Sequence, residues 1–231
     1  MKERGMIFNG EMVRALLGSR KTQTRRPIKW RQTRATEIAE REDGSKWPWS
    51  EDAENVCDYW HPCPFGAVGD RIWVRETFQG PLFDFDLMDS YCKDSTPFEK
   101  SEFCVYKADG VPAPEFYDAD DELHCRWRPS IHMPRWASRI LLEITDVRVE
   151  RLNSISEEDA RAEGIIDGGC VNCGEPEPCS CAHPQPDATD AFAYLWQSIY
   201  GRKIGTPTRS CGSFNLSALK AVQHDQETLY Q

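Results

Sequence analysis

The sequence predicts an α+β protein in which short strands and helices alternate with long acidic insertions. Short strands are expected at residues 5–9, directly after the turn at 69–70, at 103–107 and at 140–152. Amphipathic helices are expected at residues 10–17, between Ser156 and Gly164, and at 190–200. The acidic, polar segments at about 31–63, 79–125 and 165–187 are interpreted as irregular insertions.

The clearest strand signal lies at residues 140–152. Ile140, Leu142 and Ile144 keep a period of two, which is typical of a half-buried strand. The apolar pattern resumes at Val147 with its phase shifted by one residue. This shift predicts a bulge or a bend just before Val147.

Each helix has a start or stop signal beside it. Asn9 is suited to cap the helix at 10–17, and Gly18 is suited to end it. Ser156 opens a variant of the capping box before the second helix. Thr189 is expected to cap the third helix.

The length of 231 residues suits one elaborated domain. We expect residues 1–200 to form a single domain with a modest core, because only 39% of the residues are hydrophobic and 29% are charged. Residues 201–231 are polar without a strong period, and we expect a loosely ordered C-terminal tail there.

The formal net charge is −10, but the charge is unevenly distributed. Residues 1–36 carry ten Lys or Arg against two Glu, a net charge of +8, so the remaining residues sum to −18. A bulk electrostatic grip on duplex DNA is therefore not expected. A local anion pocket that takes a nucleotide or a single-stranded segment fits this distribution better.

Two features of the sequence indicate a cytoplasmic protein. No apolar run is long enough for a transmembrane helix, and no long apolar stretch follows the first five residues. No membrane partner is expected. The ten cysteines are accordingly interpreted as thiols or metal ligands, not as disulfides.

The basic stretch Gly18–Arg26, which reads GSRKTQTRR, is the first candidate binding segment. Four of its residues are cations, namely Arg20, Lys21, Arg25 and Arg26. Such a concentration of like charges indicates an anionic partner. The alternative is a solvated basic edge strand that resists edge-to-edge pairing.

Side-chain alternation divides the basic stretch into two faces if it is a strand. Lys21, Gln23 and Arg25 then point one way, and Thr22, Thr24 and Arg26 point the other way. A turn near the start of the strand would instead bring Lys21 beside Thr24. In the strand after Gly69-Asp70, Trp73 and Arg75 likewise share a face that offers an aromatic ring and a cation. The candidate ligand-binding residues are therefore Arg20, Arg26, Trp73 and Arg75.

Glu163 is the candidate general base. It falls in the last turn of the helix that Ser156 opens, where the partial negative charge of the helix end disfavours a carboxylate. The alternative interpretation is an ordinary exposed glutamate.

A cysteine cluster in the third insertion is a candidate structural zinc site. The cluster comprises Cys170, Cys173, Cys179, Cys181 and His183, and such ligands can close a tetrahedral site. The alternative is a reduced, mobile loop, because the Cys-x-Cys spacing of the second pair is unusual for a zinc knuckle.

A second group, Cys57, His61 and Cys63, is a weaker candidate for zinc. Apart from structural zinc, no cofactor is expected, and none is expected to take part in catalysis.

The chain resembles the ASCH family, a branch of the PUA-like superfamily. The resemblance rests on GSRKTQTRR, GDRIWVRETF and SISEEDARAEGI, and it covers most of residues 1–200. MIFNGEMVRALLGSRKTQTRRPIKW and WRPSIHMPRWASRI resemble bacteriophage and prophage members labelled morphogenetic proteins. The resemblance implies a small mixed PUA-like β-barrel with flanking helices.

The family motif is usually written GxKxxExR. Lys21 and Arg26 match it, Thr24 stands at the Glu position and Ser19 stands at the Gly position. Some small ASCH proteins are amidohydrolases that deacylate N4-acetylcytidine with a Lys, a Thr and a Glu. The resemblance implies that Lys21, Thr24 and Glu163 are the corresponding catalytic residues. Thr24 would be the nucleophile, Lys21 would lower the pKa of Thr24 or accept its proton, and Glu163 would orient Lys21 or relay the proton.

One departure from the family lies in the C-terminal tail. Relatives usually end with a strand rich in Trp and Val after the last helix, and residues 202–231 contain no such pattern. The resemblance therefore leads us to expect a barrel that lacks its closing strand.

Three functions follow from these interpretations. The first is a domain that binds RNA or a modified nucleoside in a basic cleft. The second adds amide hydrolysis in the same cleft. The third is a non-enzymatic phage morphogenesis or accessory protein that contacts other phage proteins through residues 84–122.

Overall fold

The computed structural model describes residues 1–29, 34–52, 57–117, 122–166, 180–181, 188–201, 212–217 and 220–222. Its strands are β1 Glu3–Ile7, β2 Thr24–Pro27, β3 Glu37–Glu40, β4 Lys46–Asp52, β5 Cys57–Trp60, β6 Arg71–Arg75, β7 Phe78–Gln79, β8 Val105–Tyr106, β9 Glu115–Tyr117, β10 Leu123–Cys125, β11 Leu141–Glu143, β12 Asp146–Arg151, β13 Gly212–Ser217 and β14 Lys220–Val222. Its α-helices are α1 Gly10–Leu17, α2 Met88–Lys93, α3 Glu157–Ala162 and α4 Ala188–Tyr200.

The protein is an α+β structure with several small sheets and few helices. Among the described residues, none of the five sheets closes into a barrel. No helix in the described ranges combines the length and the apolar character that a membrane span needs.

The chain divides into two compact units, and each is discontinuous in sequence. The first unit comprises Met1–Leu17, Asp70–Glu143 and Ala221–Gln231, and the second comprises Gly18–Gly69 and Ile144–Lys220. The expected single domain over residues 1–200 stays a prediction.

The first unit is organised on a four-stranded sheet with the order β1-β6-β11-β14. β1 pairs with β6 in parallel, and β11 pairs with the other edge of β6 in antiparallel orientation. Ile72 and Val74 of β6 are almost fully buried, as their alternation predicts. Helix α1 follows β1, and the Asn9 side chain caps it by accepting a hydrogen bond of 2.8 Å from the Met12 amide.

The insertion at 79–125 is not irregular throughout. The expected strand at 103–107 is shorter, since only β8 forms and pairs with β7. Strands β9 and β10 form an antiparallel hairpin. An aromatic cluster also packs within the insertion, with centroids 4.7–5.6 Å apart, and it comprises Phe83, Tyr91, Phe98 and Phe103.

A buried ion-pair cluster stabilises the first unit. Glu76 is 1% exposed, and both of its carboxylate oxygens accept hydrogen bonds from Arg139 at 3.0 and 3.1 Å. The Arg139 guanidinium also binds Asp109 and stacks on the Tyr106 ring. Burial raises the pKa of Glu76 in spite of these contacts.

The second unit contains a three-stranded sheet in which β13 lies between β12 and β2. Both pairings are antiparallel, and the register sets residue 215 opposite Arg148 on one side and Arg25 on the other. Residues 212–217, which belong to the tail that was expected to be loosely ordered, therefore form a strand. The polar composition did not predict this strand, because the strand forms by backbone pairing with its two neighbours and not through an apolar pattern.

The insertion at 31–63 was expected to be irregular, and this expectation is wrong for residues 37–52 and 57–60. Strands β3, β4 and β5 form an antiparallel meander in which Trp49 lies opposite Trp60. The Arg41 guanidinium lies 4.5 Å from the Trp47 ring centroid and 5.1 Å from that of Trp60. Cross-strand aromatic and cation–π contacts hold the meander despite its weak apolar pattern.

Helices α3 and α4 share a core that contains Leu152, Ala160, Phe192 and Trp196. The Ser156 hydroxyl caps α3 by accepting from the Asp159 amide at 3.1 Å, as the capping-box variant predicts. Helix α4 begins at Ala188, before the expected cap at Thr189. The Ala188 amide instead donates to the Glu157 carboxylate of α3 at 3.1 Å.

The central position of β13 can be tested with a proline. In a strand that has partners on both sides, each amide donates to one neighbour or the other, and proline cannot donate. We expect Asn215→Pro to lower the free energy of unfolding by about 3 kcal/mol in urea titrations. Asn215→Thr keeps the amide and should change it by less than about 1 kcal/mol. Equal effects of the two variants would contradict the central placement.

Candidate functional site

A buried cluster of charges lies in the second unit, where the basic stretch meets the end of α3. We call it the Lys21 centre, and it comprises Lys21, Arg25, Glu150, Asp159 and Glu163. The side chains of Lys21 and Arg25 are 0% exposed and that of Glu163 is 4% exposed. The alternative of a solvated basic edge strand is wrong for these residues, and Glu163 is not an ordinary exposed glutamate.

Backbone pairing brings the two segments of the Lys21 centre together. Lys21 and Glu163 form an isolated antiparallel bridge. The amides of Thr22 and Gln23 donate to the Ala162 carbonyl at 2.8 and 3.1 Å. Because Ala162 is the last residue of α3, its carbonyl has no partner within the helix and is available to another segment.

The ion pair between Lys21 and Glu163 is the shortest polar contact of the centre. The Lys21 Nζ atom lies 2.7 Å from Glu163 Oε2 and also donates to the Glu163 backbone carbonyl at 2.8 Å. Burial lowers the pKa of Lys21, and the neighbouring charges of Arg25 and Arg26 act in the same direction, while Glu163 opposes them. An amine of this kind is suited to accept a proton.

Arg25 connects three carboxylates. Its NH2 atom lies 2.8 Å from Glu150 Oε2 and 3.0 Å from Asp159 Oδ2, and its NH1 atom lies 3.4 Å from Glu163 Oε1. The planar fork of a guanidinium suits this arrangement, because its donors diverge in one plane. Arg25 therefore ties β12, the first turn of α3 and the end of α3 to β2.

Asp159 is the outer carboxylate of the centre. Its carboxylate accepts hydrogen bonds from the side-chain amide of Gln23 at 2.9 Å and from the Arg148 guanidinium at 3.4 Å. Burial acts to raise its pKa, but the Gln23 hydrogen bond and the charges of Arg25 and Arg148 outweigh burial and lower the pKa. Asp159 is thus a structural anion at neutral pH.

The predicted division of the basic stretch into two faces is confirmed on one face. Lys21, Gln23 and Arg25 all donate to carboxylates of Asp159 or Glu163. The sequence singled out Lys21 and Glu163 but missed Arg25, Glu150 and Asp159 as partners. The shared face of Lys21 and Arg25 was the available signal.

The other predicted residues of this segment have different environments. Thr24 is 1% exposed and begins β2 opposite Leu216. Arg26 is half-buried and donates to the Tyr200 hydroxyl at 3.2 Å. Arg20 is exposed. Their roles as nucleophile and ligand contacts stay predictions.

Trp73 and Arg75 belong to β6 of the first unit. Both are half-buried, and the Arg75 guanidinium lies 5.4 Å from the Trp73 ring centroid. An aromatic ring and a cation on one face are suited to base stacking. Their contact with a ligand stays a prediction.

The zinc hypothesis concerns residues that lie mostly outside the described ranges. Cys170, Cys173, Cys179 and His183 lie outside them, and Cys181 is half-buried. Within the described ranges, no three His, Cys, Asp or Glu residues form a group that could hold a metal ion. Zinc binding stays a prediction.

In the weaker zinc candidate, Cys57, His61 and Cys63, the histidine contacts a serine hydroxyl. The Nε2 atom of His61 lies 2.9 Å from the Ser50 hydroxyl. His61 also packs edge to face on Tyr59, with centroids 4.7 Å apart. These contacts give the His61 ring a structural role within the meander.

The backbone at Ser19 has an unusual conformation. Its φ is 55°, in the left-handed region that favours glycine. Ser19 is the position at which the ASCH motif has its glycine. The structure thus has a backbone at this position that a glycine would adopt without strain.

Comparison of the chain with family models, with curated proteins and with solved structures finds no match. The resemblance to the ASCH family therefore rests on the motifs quoted above.

The buried ion pair can be tested by a double-mutant cycle. Glu163→Leu leaves the Lys21 amine buried without its carboxylate, and we expect it to lower the free energy of unfolding at pH 7 by about 3–5 kcal/mol. Lys21→Met/Glu163→Leu removes both charges and should be more stable than Glu163→Leu alone by about 1–2 kcal/mol. Urea unfolding of the wild type, Lys21→Met, Glu163→Leu and the double variant completes the cycle, and strictly additive losses would show that the pair contributes no coupling.

The strain at Ser19 makes a second prediction. Ser19→Gly should raise the free energy of unfolding by about 1 kcal/mol, because glycine adopts this φ without penalty. Ser19→Ala removes the hydroxyl but keeps the strain, and it should not stabilise the protein. Thermal unfolding followed by circular dichroism compares the two variants, and equal melting temperatures would argue against strain.

Proposed function

We propose that this chain is an ASCH protein of PUA-like fold that binds a modified nucleoside or RNA at the Lys21 centre and hydrolyses N4-acylcytidine there. The observation that carries the proposal is the contact of 2.7 Å between Lys21 and Glu163. These residues are 142 positions apart in the chain, and the family resemblance independently names both as catalytic.

Two further observations support the proposal. Ser19, at the glycine position of the motif, has a φ that favours glycine. Strand β13 follows the last helix and pairs with both β12 and β2, and members of the family usually have a strand after that helix. The PUA-like barrel itself is part of the proposal.

The reaction assigns a separate role to each residue. The Thr24 hydroxyl oxygen attacks the acyl carbon while its proton passes to the neutral Lys21 amine. The C–N bond then breaks, and the Lys21 ammonium returns the proton to N4, which releases cytidine. Water attacks the resulting threonine ester, Lys21 takes its proton, and that proton returns to the Thr24 oxygen as the carboxylic acid leaves. Arg26 or a backbone N–H stabilises the oxyanion.

The lowered pKa of Lys21 suits this scheme, because only the neutral amine accepts a proton. The overall reaction consumes one water for each amide, so it needs no further reactant. Lys21 and Thr24 are both buried, and bound substrate would be screened from bulk water in their neighbourhood.

The second candidate function is a non-enzymatic phage morphogenesis or accessory protein. The charge balance around the Lys21 centre favours this second function. The two basic residues of the centre and the neighbouring Arg148 together match its three carboxylates in number. A neutral, closed network serves stability without any ligand. The first function requires that the site binds and hydrolyses a cytidine derivative, and the second function requires neither.

The test is chromatographic detection of cytidine after incubation of the purified protein with N4-acetylcytidine. We expect release by the wild type and a loss of at least about 100-fold in Lys21→Met, the usual contribution of a general base. Lys46→Met removes an exposed lysine and serves as the control. Folding of each variant is checked by circular dichroism.

Thr24→Ala separates catalysis from binding. It should abolish release but keep the binding of cytidine in a calorimetric titration, because only the nucleophile is lost. No release by the folded wild type would reject the hydrolase. No binding of cytidine or RNA either would reject the whole site in favour of the accessory protein.

A further inference from the structure

We propose that Arg25 is a positioning residue that holds the second oxygen of Glu163, so that Glu163 orients the Lys21 amine and does not itself accept the proton. This inference rests on the proposed function and deepens it. The family resemblance assigns no role to Arg25, and it leaves open whether Glu163 orients Lys21 or relays the proton.

The hydrogen bonds of Lys21 set the direction of its lone pair. A neutral amine has two N–H groups and one lone pair, whereas an ammonium has three N–H groups. Lys21 Nζ has two acceptors on Glu163, the Oε2 atom at 2.7 Å and the backbone carbonyl at 2.8 Å. A neutral Lys21 directs both N–H groups at Glu163, and its lone pair then points away from that residue.

Both carboxylate oxygens of Glu163 accept hydrogen bonds. Oε2 contacts Lys21 at 2.7 Å and Oε1 contacts Arg25 at 3.4 Å. Each oxygen thus already has a donor inside the buried site. The lone pair of the neutral Lys21 amine, which points away from Glu163, is therefore the proton acceptor.

Arg25 is itself fixed by two carboxylates. Its NH2 atom is shared between Glu150 at 2.8 Å and Asp159 at 3.0 Å, and its side chain is 0% exposed. These anchors leave the NH1 atom directed at Glu163. Because β12 and α3 fix the guanidinium, the guanidinium in turn fixes the position of the Glu163 carboxylate, which orients Lys21.

Arg25 also acts on Lys21 through its charge. The charged groups that bear on Lys21 are Glu163, Arg25 and Arg26, besides the dominant effect of burial. The positive charge of Arg25 lowers the pKa of Lys21. Removing this charge raises the pKa, so that a higher pH is needed before Lys21 can accept a proton.

The experiment compares pH–rate profiles for N4-acetylcytidine hydrolysis. In the wild type the rate rises with pH as Lys21 loses its proton. We expect Arg25→Gln to move this rising limb to higher pH by about 0.5–1 unit and to lower the plateau rate about tenfold. Arg25→Lys keeps the charge and should keep the limb near its wild-type position.

Arg148→Gln is the matched control, because Arg148 also contacts Asp159 and Glu150 and the variant loses the same charge. It should leave the position of the limb unchanged. A purely structural role for Arg25 predicts a lower rate with an unshifted limb, and this result overturns the inference. A limb that moves equally in Arg25→Gln and Arg148→Gln also overturns it.

A second readout does not depend on activity. The protein is labelled with [ε-13C]lysine, the Lys21 signal is assigned with Lys21→Arg, and its titration is followed by NMR. If the wild type releases no cytidine, the hydrolase fails, yet a higher titration midpoint in Arg25→Gln than in the wild type and Arg148→Gln still supports the positioning role. Identical midpoints in all three proteins overturn it.

Discussion

The buried ion pair between Lys21 and Glu163 is the contact on which the second unit depends. An amine and a carboxylate that leave water lose several kcal/mol of solvation each, and only close contact and further hydrogen bonds offset that loss. The bridge between Lys21 and Glu163 and the donors from residues 22 and 23 to Ala162 supply this geometry. The end of α3 and the start of β2 therefore have to stay in register for either charge to be tolerated.

Both units use an arginine to join carboxylates at their buried centres. Arg25 contacts Glu150, Asp159 and Glu163, and in the first unit Arg139 contacts Glu76 and Asp109. A guanidinium suits this role because it stays charged and offers several donors in one plane. The two clusters differ in chemistry, however. The cluster of the second unit contains a lysine, and burial lowers the pKa of its amine, whereas the arginine at the same place in the first cluster stays charged.

Local sequence patterns predicted those features that depend only on residues a few positions apart in the chain. The Asn9 cap of α1 and the Ser156 cap of α3 agree with the structure, as does the shared face of Lys21, Gln23 and Arg25. The meander β3-β4-β5 was missed, because its stability comes from rings and cations that meet across strands. Polar residues with no periodic pattern look irregular until their partners are known.

The sequence by itself determined the helix that ends at the Lys21 centre and the face that Lys21 shares with Arg25, since capping and alternation depend on neighbouring residues. The motif resemblance added that Lys21 and Glu163 belong to one site. Only the tertiary structure decided that both side chains are buried, that Arg25 joins three carboxylates and that β13 lies between β12 and β2. The physical reason is that burial and ion pairing depend on segments more than 100 residues apart, whose approach no local pattern records.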